Sequence, residues 1–161
     1  MKVFISHKKE DSETASQIAN YLRINQVGVY LDVIDNIAPN DAKTLTNHIK
    51  SRMSECTDLL VVMSSKTQQS WWVPFEIGMA AQQDYPMVSY LKEFIILPEY
   101  LSYYPKLKSN TDLYYYISAA RGRINEKVTI EKQAGSLNES YNFSKRENLT
   151  EKFYRELKAK L

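Results

Sequence analysis

Four glycines in 161 residues are too few for a phosphate-cradling loop, a nucleophile elbow or a Gly-x-Gly dinucleotide fingerprint, and none of these patterns occurs. Each of those devices needs glycine where backbone turns sharply or approaches a ligand closely. A nucleotide bound here is therefore not held in the usual dehydrogenase manner. Cysteine is scarcer still. The single Cys56 excludes an internal disulfide and any multi-cysteine metal site, and it reads as a small buried apolar residue ahead of a core strand. The two histidines, His7 and His48, lie far apart, and neither has partners at metal-ligand spacing, so no metal is expected. The longest apolar run, Leu59 to Met63, is far short of a bilayer span. A formal net charge of +2, with lysines and glutamates well mixed, is too small to argue for nucleic acid. No hydrophobic signal segment precedes the first strand-like run. The expectation is a cytoplasmic protein with neither a membrane nor a nucleic acid as partner. Three Asn-x-Ser/Thr sequons (Asn138, Asn142, Asn148) then read as polar-loop composition rather than glycan sites.

Hydrophobic and charged fractions of 43% and 25% are ordinary for a globular chain, and the length fits one domain over residues 1–161. Lys2-Val-Phe-Ile-Ser reads as a buried strand that stops in the polar stretch His7 to Asp11. A helix follows from Ser12, capped by Asp11 or Ser12, with Ala15, Ile18, Ala19 and Leu22 at helical spacing. Gly28 breaks the chain before a second strand, Val29 to Leu31, ending at Asp32. Asp32 to Asp41 reads as a long loop, and a helix spans about Asn40 to Ser54. Thr57 to Ser64 lacks alternation, as suits a central parallel strand covered on both faces. A polar loop leads to a helix from about Trp72 to Gln83, and Tyr85 to Leu91 forms the fourth strand. Short connections in the order βαβαβαβ imply a parallel α/β sheet with right-handed crossovers. Past Leu91, Phe94 to Leu97 reads as a fifth strand or a turn, Asp112 to Ile124 as a helix, Asn125 to Ser144 as polar loop, and Glu147 to Leu161 as a closing helix.

Ligands of open parallel sheets sit beyond the carboxyl ends of the strands, where loops and helix N-termini converge. That rule selects Ser6, His7, Lys8 and Lys9 after strand one, Asp32 after strand two, and Ser64 and Ser65 after strand three. Glu76 stands near the start of the following helix, four residues after Trp72, so both project from one helical face. An acid there also complements the helix dipole. The neighbouring tryptophan favours the other role, a stacking surface beside a polar anchor.

These blocks together resemble a TIR (Toll/interleukin-1 receptor) domain. Val3-Phe-Ile-Ser-His-Lys-Lys-Glu-Asp11 is similar to the opening strand and loop of that family. Gly28-Val-Tyr-Leu-Asp32 resembles the second strand, Asp32 to Asp41 the BB loop, and Thr57 to Ser65 the third strand. Trp72-x-x-x-Glu76 resembles the motif that carries the catalytic glutamate in NAD-cleaving members. The resemblance covers residues 2–92, with 93–161 less typical. Two departures stand out: Pro39-Asn40-Asp41 where the family usually has a glycine before the acid, and a lysine pair at 8 and 9. Asparagine tolerates the left-handed conformation better than most residues. The implied fold is the flavodoxin-like TIR fold, a central parallel sheet of four to five strands flanked by helices.

The resemblance implies a stand-alone bacterial NAD+ glycohydrolase or ADP-ribosyl cyclase of the antiphage-defence type. Releasing nicotinamide builds positive charge on the ribose, and a fixed carboxylate beside the sugar stabilises it. That role falls to Glu76. Phe4 and Trp72 would pack against rings and sugar, Asp32 would bind a hydroxyl or amide, Lys8 would sit near the phosphates, and Ser6 and His7 would complete the binding site. NAD+ is then the substrate and no cofactor is needed. The product is ADP-ribose, a cyclic isomer or another rearranged nucleotide signal. Implied partners are other TIR copies, through the BB loop, and a separate effector activated by the product. Two other readings stay open: a non-enzymatic TIR adaptor, and a nucleoside deoxyribosyltransferase-like enzyme. The tyrosine-rich stretch from Tyr100 to Tyr116 shields the site from water or serves as core and rim packing.

Overall fold

A computed structural model describes the backbone of residues 1–31, 42–134 and 139–161, and the side chains of these residues outside 133–147. The chain divides into two compact units, Met1–Lys108 and Ser109–Leu161.

The first unit is built on a five-stranded parallel sheet. Its strands are β1 (Lys2–Ser6), β2 (Gly28–Leu31), β3 (Asp58–Met63), β4 (Met87–Leu91) and β5 (Lys106–Leu107). They lie in the order β2-β1-β3-β4-β5, every neighbouring pair parallel. Among the described residues, three α-helices connect them: α1 (Ser12–Ile24), α2 (Ala42–Ser54) and α3 (Trp72–Gln82). All six residues of β3 are buried, as its unbroken apolar run requires of a central strand, whereas edge strand β2 is only half-buried. Val3, Phe4 and Ile5 of β1 are fully buried between them. At the start of β2, Gly28 lies so close to Met1 and Lys2 that a Cβ would stand 3.3 Å from the Met1 carbonyl oxygen. Cys56, the expected small apolar residue, is buried just before β3. Its thiol donates to the Arg52 carbonyl at 3.3 Å, and burial pushes its pKa up to about 11.

Helices α1 and α3 end alike. Gln26 and Asp84 both take a left-handed backbone, φ 57° and 53°. In each case the following N–H reaches back to the helix (Val27 to Leu22, Tyr85 to Ala80), with a second bond inside it (Gln26 to Arg23, Asp84 to Ala81). That is the Schellman arrangement, here built without glycine.

The second unit pairs α4 (Asn110–Ala134) with α5 (Glu139–Lys158). The tyrosine-rich helix expected to stop at Ile124 runs on to Ala134, and the closing helix begins eight residues before Glu147. The stretch expected to be loop, Asn125 to Ser144, is therefore largely helical. It shows no apolar stripe because none of its described side chains, 125–132, is buried. Leu113, Tyr116, Ile117 and Ala120 of α4 are buried, as are Leu149, Phe153, Tyr154 and Leu157 of α5. The rings of Tyr116 and Phe153 meet at 6.2 Å, the Arg123 guanidinium lies 5.5 Å from the Phe153 ring, and Lys152 bridges to Glu126 at 2.7 Å. Asn142 and Asn148 lie on α5 and not in a loop.

Phe94 to Leu97 is neither strand nor helix, and the fifth strand comes later as the two residues of β5. Among the described residues no helix is long and apolar enough to cross a membrane.

Candidate functional site

Strand order reverses between β1 and β3, and the crevice beyond their carboxyl ends is where such sheets hold ligands. Ser6 is the last residue of β1. Its hydroxyl donates to Oε2 of Glu76, which α3 delivers from its second turn. Both residues are 0% exposed. A carboxylate so far from water needs compensating donors, so the Ser6 hydroxyl is part of what allows Glu76 to be there. The helix face shared by Trp72 and Glu76 does not keep their side chains in one environment. Trp72 is half-buried, its ring edge-on to Phe75 at 5.8 Å, while Glu76 turns into the sheet.

Other expected site residues fall around this pair. Phe4 is fully buried, with its ring 5.1 Å from that of Tyr30, so it offers no surface to a ligand in this state. His7 is half-buried and its Nε2 lies 3.2 Å from the Ser12 hydroxyl. Lys8 is partly exposed, with its ammonium 3.3 Å from Glu10. Asp32 and the rest of the loop to Asp41 lie outside the described residues. His48, on α2, lies 2.9 Å from the Tyr30 hydroxyl. Among the described residues no three His, Cys, Asp or Glu side chains gather as a metal site would need.

Sequence reading missed the most connected group at this end of the sheet. Asp11 occupies the position before α1, yet its side chain makes no cap hydrogen bond. It turns inward instead and accepts hydrogen bonds from Ser64 (2.5 Å), Thr67 (2.6 Å) and Lys92 (2.9 Å). Burial alone would raise this carboxyl, but the three donors and the lysine charge outweigh it and hold it below the usual range. Lys92 is raised in turn, chiefly by its bond to Asp11. One carboxylate thus ties together the segments after β1, β3 and β4. Only the rule of strand ends could have found it, since its partners lie 53 to 81 residues away.

Cavities of about 630 and 440 Å3 lie in this unit, and neither of these is lined by Ser6 or Glu76. Of the tyrosines, Tyr104 and Tyr116 are buried, whereas Tyr100, Tyr103 and Tyr114 are about half exposed.

No curated protein matches the chain. Among solved structures, it is similar to a 2-deoxyribosyltransferase of the psychrotolerant bacterium Bacillus psychrosaccharolyticus, with a TM-score of 0.57 at 10% identity over 70% of this chain and 90% of that one. It is also similar to the TIR domain of a Toll-related receptor of Hydra magnipapillata, with a TM-score of 0.55 at 16% identity over 65% and 81%. At such identities the likeness concerns the fold. Family membership is shown by the sequence model of the TIR domain, which matches residues 3–126 and so takes in the whole sheet, the Ser6–Glu76 pair and the Asp11 group. The chain belongs to the TIR domain family.

Proposed function

We propose that this protein cleaves the nicotinamide–ribose bond of NAD+, with Glu76 as the catalytic residue. The observation that carries the reading is a fully buried carboxylate, held by Ser6, at the strand-order reversal of a TIR-family sheet. As the C–N bond breaks, its electron pair leaves with nicotinamide, a neutral base, and the ribose becomes cationic. A carboxylate fixed beside the sugar stabilises that cation, and no acid is needed for the leaving group. Water then gives ADP-ribose and a proton. An atom of the same nucleotide gives a cyclic product. Trp72, His7, Lys8 and Asp32 are the proposed binding residues, and NAD+ is the substrate of a cofactor-free reaction.

Glu76 has no exposed surface, so substrate reaches it only after the groups above it move. That supports activation by self-association of TIR copies. The product as a signal to a separate effector in a cytoplasmic antiphage response is the part of the proposal that rests on the family resemblance alone. Substituting Glu76→Gln is expected to lower nicotinamide release by at least about 100-fold with an unchanged circular dichroism spectrum. Full NAD+ turnover by the folded variant would refute the assignment. A second reading, transfer of a deoxyribosyl group between nucleobases, draws on the likeness to the Bacillus transferase. Incubation with deoxyadenosine and a second free base, followed by chromatography, separates the two.

A further inference from the structure

The register of the sheet sets a second buried hydroxyl beside the Ser6–Glu76 pair. Ser6 of β1 pairs with Val61 of β3, and Val61 pairs in turn with Ser89 of β4. Partners in register on parallel strands send their side chains to the same face, and on that face Ser6 reaches Glu76 of α3. Ser89 therefore lies on the α3 face at the level of Ser6, on the other side of Val61. It is 1% exposed, and its hydroxyl has no hydrogen-bond partner among the described residues. Its backbone is well placed, with the N–H donating to the Pro105 carbonyl at 2.9 Å. Sealing a hydroxyl from water without a partner lowers stability, and an alanine would occupy the same place without that cost. Folding does not explain this hydroxyl.

The position of Glu76 does. Helix α3 packs over β3, between the two serines, and Glu76 is among the residues it buries against the sheet. Neighbouring strands stand about 4.8 Å apart, so Ser6 and Ser89 flank the line of β3 at similar distances. In this structure the carboxylate leans to the Ser6 side. A change of staggered rotamer carries a glutamate carboxylate across several ångströms, and on the β4 side the hydroxyl at its level is that of Ser89.

We propose, on the reading of Glu76 as the catalytic acid, that Ser89 is a positioning residue: a second seat that receives the carboxylate while a nucleotide enters or leaves. On Ser6 the acid stands in its working place. Displaced from there it would be a buried charge short of a donor, which is a costly state, and Ser89 supplies the donor. Ser6 then governs the bond-breaking step, and Ser89 governs admission to the site.

The test is a cycle of variants of the full chain, read first by thermal unfolding and so independent of turnover. In wild type, Ser89→Ala removes an unpartnered hydroxyl, and Tm is expected to stay the same or rise. In Ser6→Ala the carboxylate rests on Ser89, and adding Ser89→Ala is expected to lower Tm by about 3–8 °C. In Glu76→Ala, the same substitution is expected to act as it does in wild type. If Ser6→Ala/Ser89→Ala fails to fold, Ser6→Ala/Ser89→Cys takes its place, since a thiol keeps a weak donor, and a smaller fall is expected. In steady-state kinetics Ser89→Ala is expected to raise KM for NAD+ at least about 5-fold with kcat within about two-fold, opposite to a loss confined to kcat in Ser6→Ala. Equal effects of Ser89→Ala in the wild-type and Ser6→Ala backgrounds overturn the proposal. So does a fall in Tm from Ser89→Ala alone, or an unchanged KM. A wild type that releases no nicotinamide refutes the NAD+ reading instead, and the Tm cycle still decides whether Glu76 uses Ser89.

Discussion

Ser6 and Glu76 share one hydrogen bond inside the protein, and that places Ser6 one step from the proposed chemistry rather than in it. Its hydroxyl is spent on holding the carboxylate, so removing it should affect turnover more than binding. For Ser6→Ala, loss of a bond to a charged group, about 1.5–3 kcal/mol, corresponds to a fall in kcat of roughly 10- to 100-fold. KM for NAD+ is expected to stay within about two-fold, and Ser6→Thr to recover much of the rate. A raised KM with unchanged kcat would instead make Ser6 a substrate contact. Asp11 invites a different measurement. Because its carboxyl is depressed in the fold, its contribution is fully present above the ordinary aspartate value, about 3.9, and is lost as pH falls through the lower folded value. Asp11→Asn should therefore lower stability by about 2 kcal/mol at pH 7, with the gap to wild type closing in acid. A gap that stays constant down to pH 2 in denaturant titrations would show that the charge is not what matters. Ser6 and Glu76 could be nominated from sequence because Ser6 sits where a strand ends and Glu76 stands near the start of the helix, four residues after Trp72. The inward turn of Asp11 could not, since a short acid before a helix has a sufficient local explanation in capping.

At the scale of elements, the strands were legible wherever burial writes a pattern. The unalternating run of β3 demanded a central position and has it, and Gly28 marked the start of β2. Legibility failed where burial writes no pattern. None of the described side chains from Asn125 to Lys132 is buried, so that stretch looked like loop although it is helix. β5 is too short to carry any period, and its place is set by pairing with β4. The two left-handed helix ends were also silent in sequence because neither uses glycine. They carry a prediction. Holding a residue with a Cβ in the left-handed region costs about 1 kcal/mol, part of which glycine returns through its greater freedom when unfolded. Gln26→Gly should then raise Tm by about 1–3 °C, and Asp84→Gly by less, because aspartate tolerates this region better. Equal or lower Tm values in calorimetry for both variants would contradict the strain argument.

For the molecule as a whole, the concealment of Glu76 turns enzymology into a question of assembly. If copies must meet before substrate can enter, specific NAD+ activity should climb with protein concentration, by at least about 10-fold across the range where sedimentation shows self-association. A constant specific activity under verified monomeric conditions would mean that the site opens unaided. Sequence named the family and nominated Glu76; it could not reveal that this acid is closed off, because burial depends on side chains brought together from β1 and α3.

Cys56 supplies a clock for the unfolding of the unit that contains it. A thiol whose pKa stands near 11 is almost wholly protonated at neutral pH, and the thiolate is the form that alkylating and disulfide reagents attack. In the folded chain it is chemically quiet, and it becomes reactive only when the Met1–Lys108 unit exposes it. Its labelling rate therefore counts the unfolding events of that unit alone. Far-ultraviolet ellipticity sums the helices of both units, α1 to α3 in one and α4 and α5 in the other. Run side by side, a thiol pulse and a far-ultraviolet melt would tell whether the two parts of the chain come apart in one event or in two.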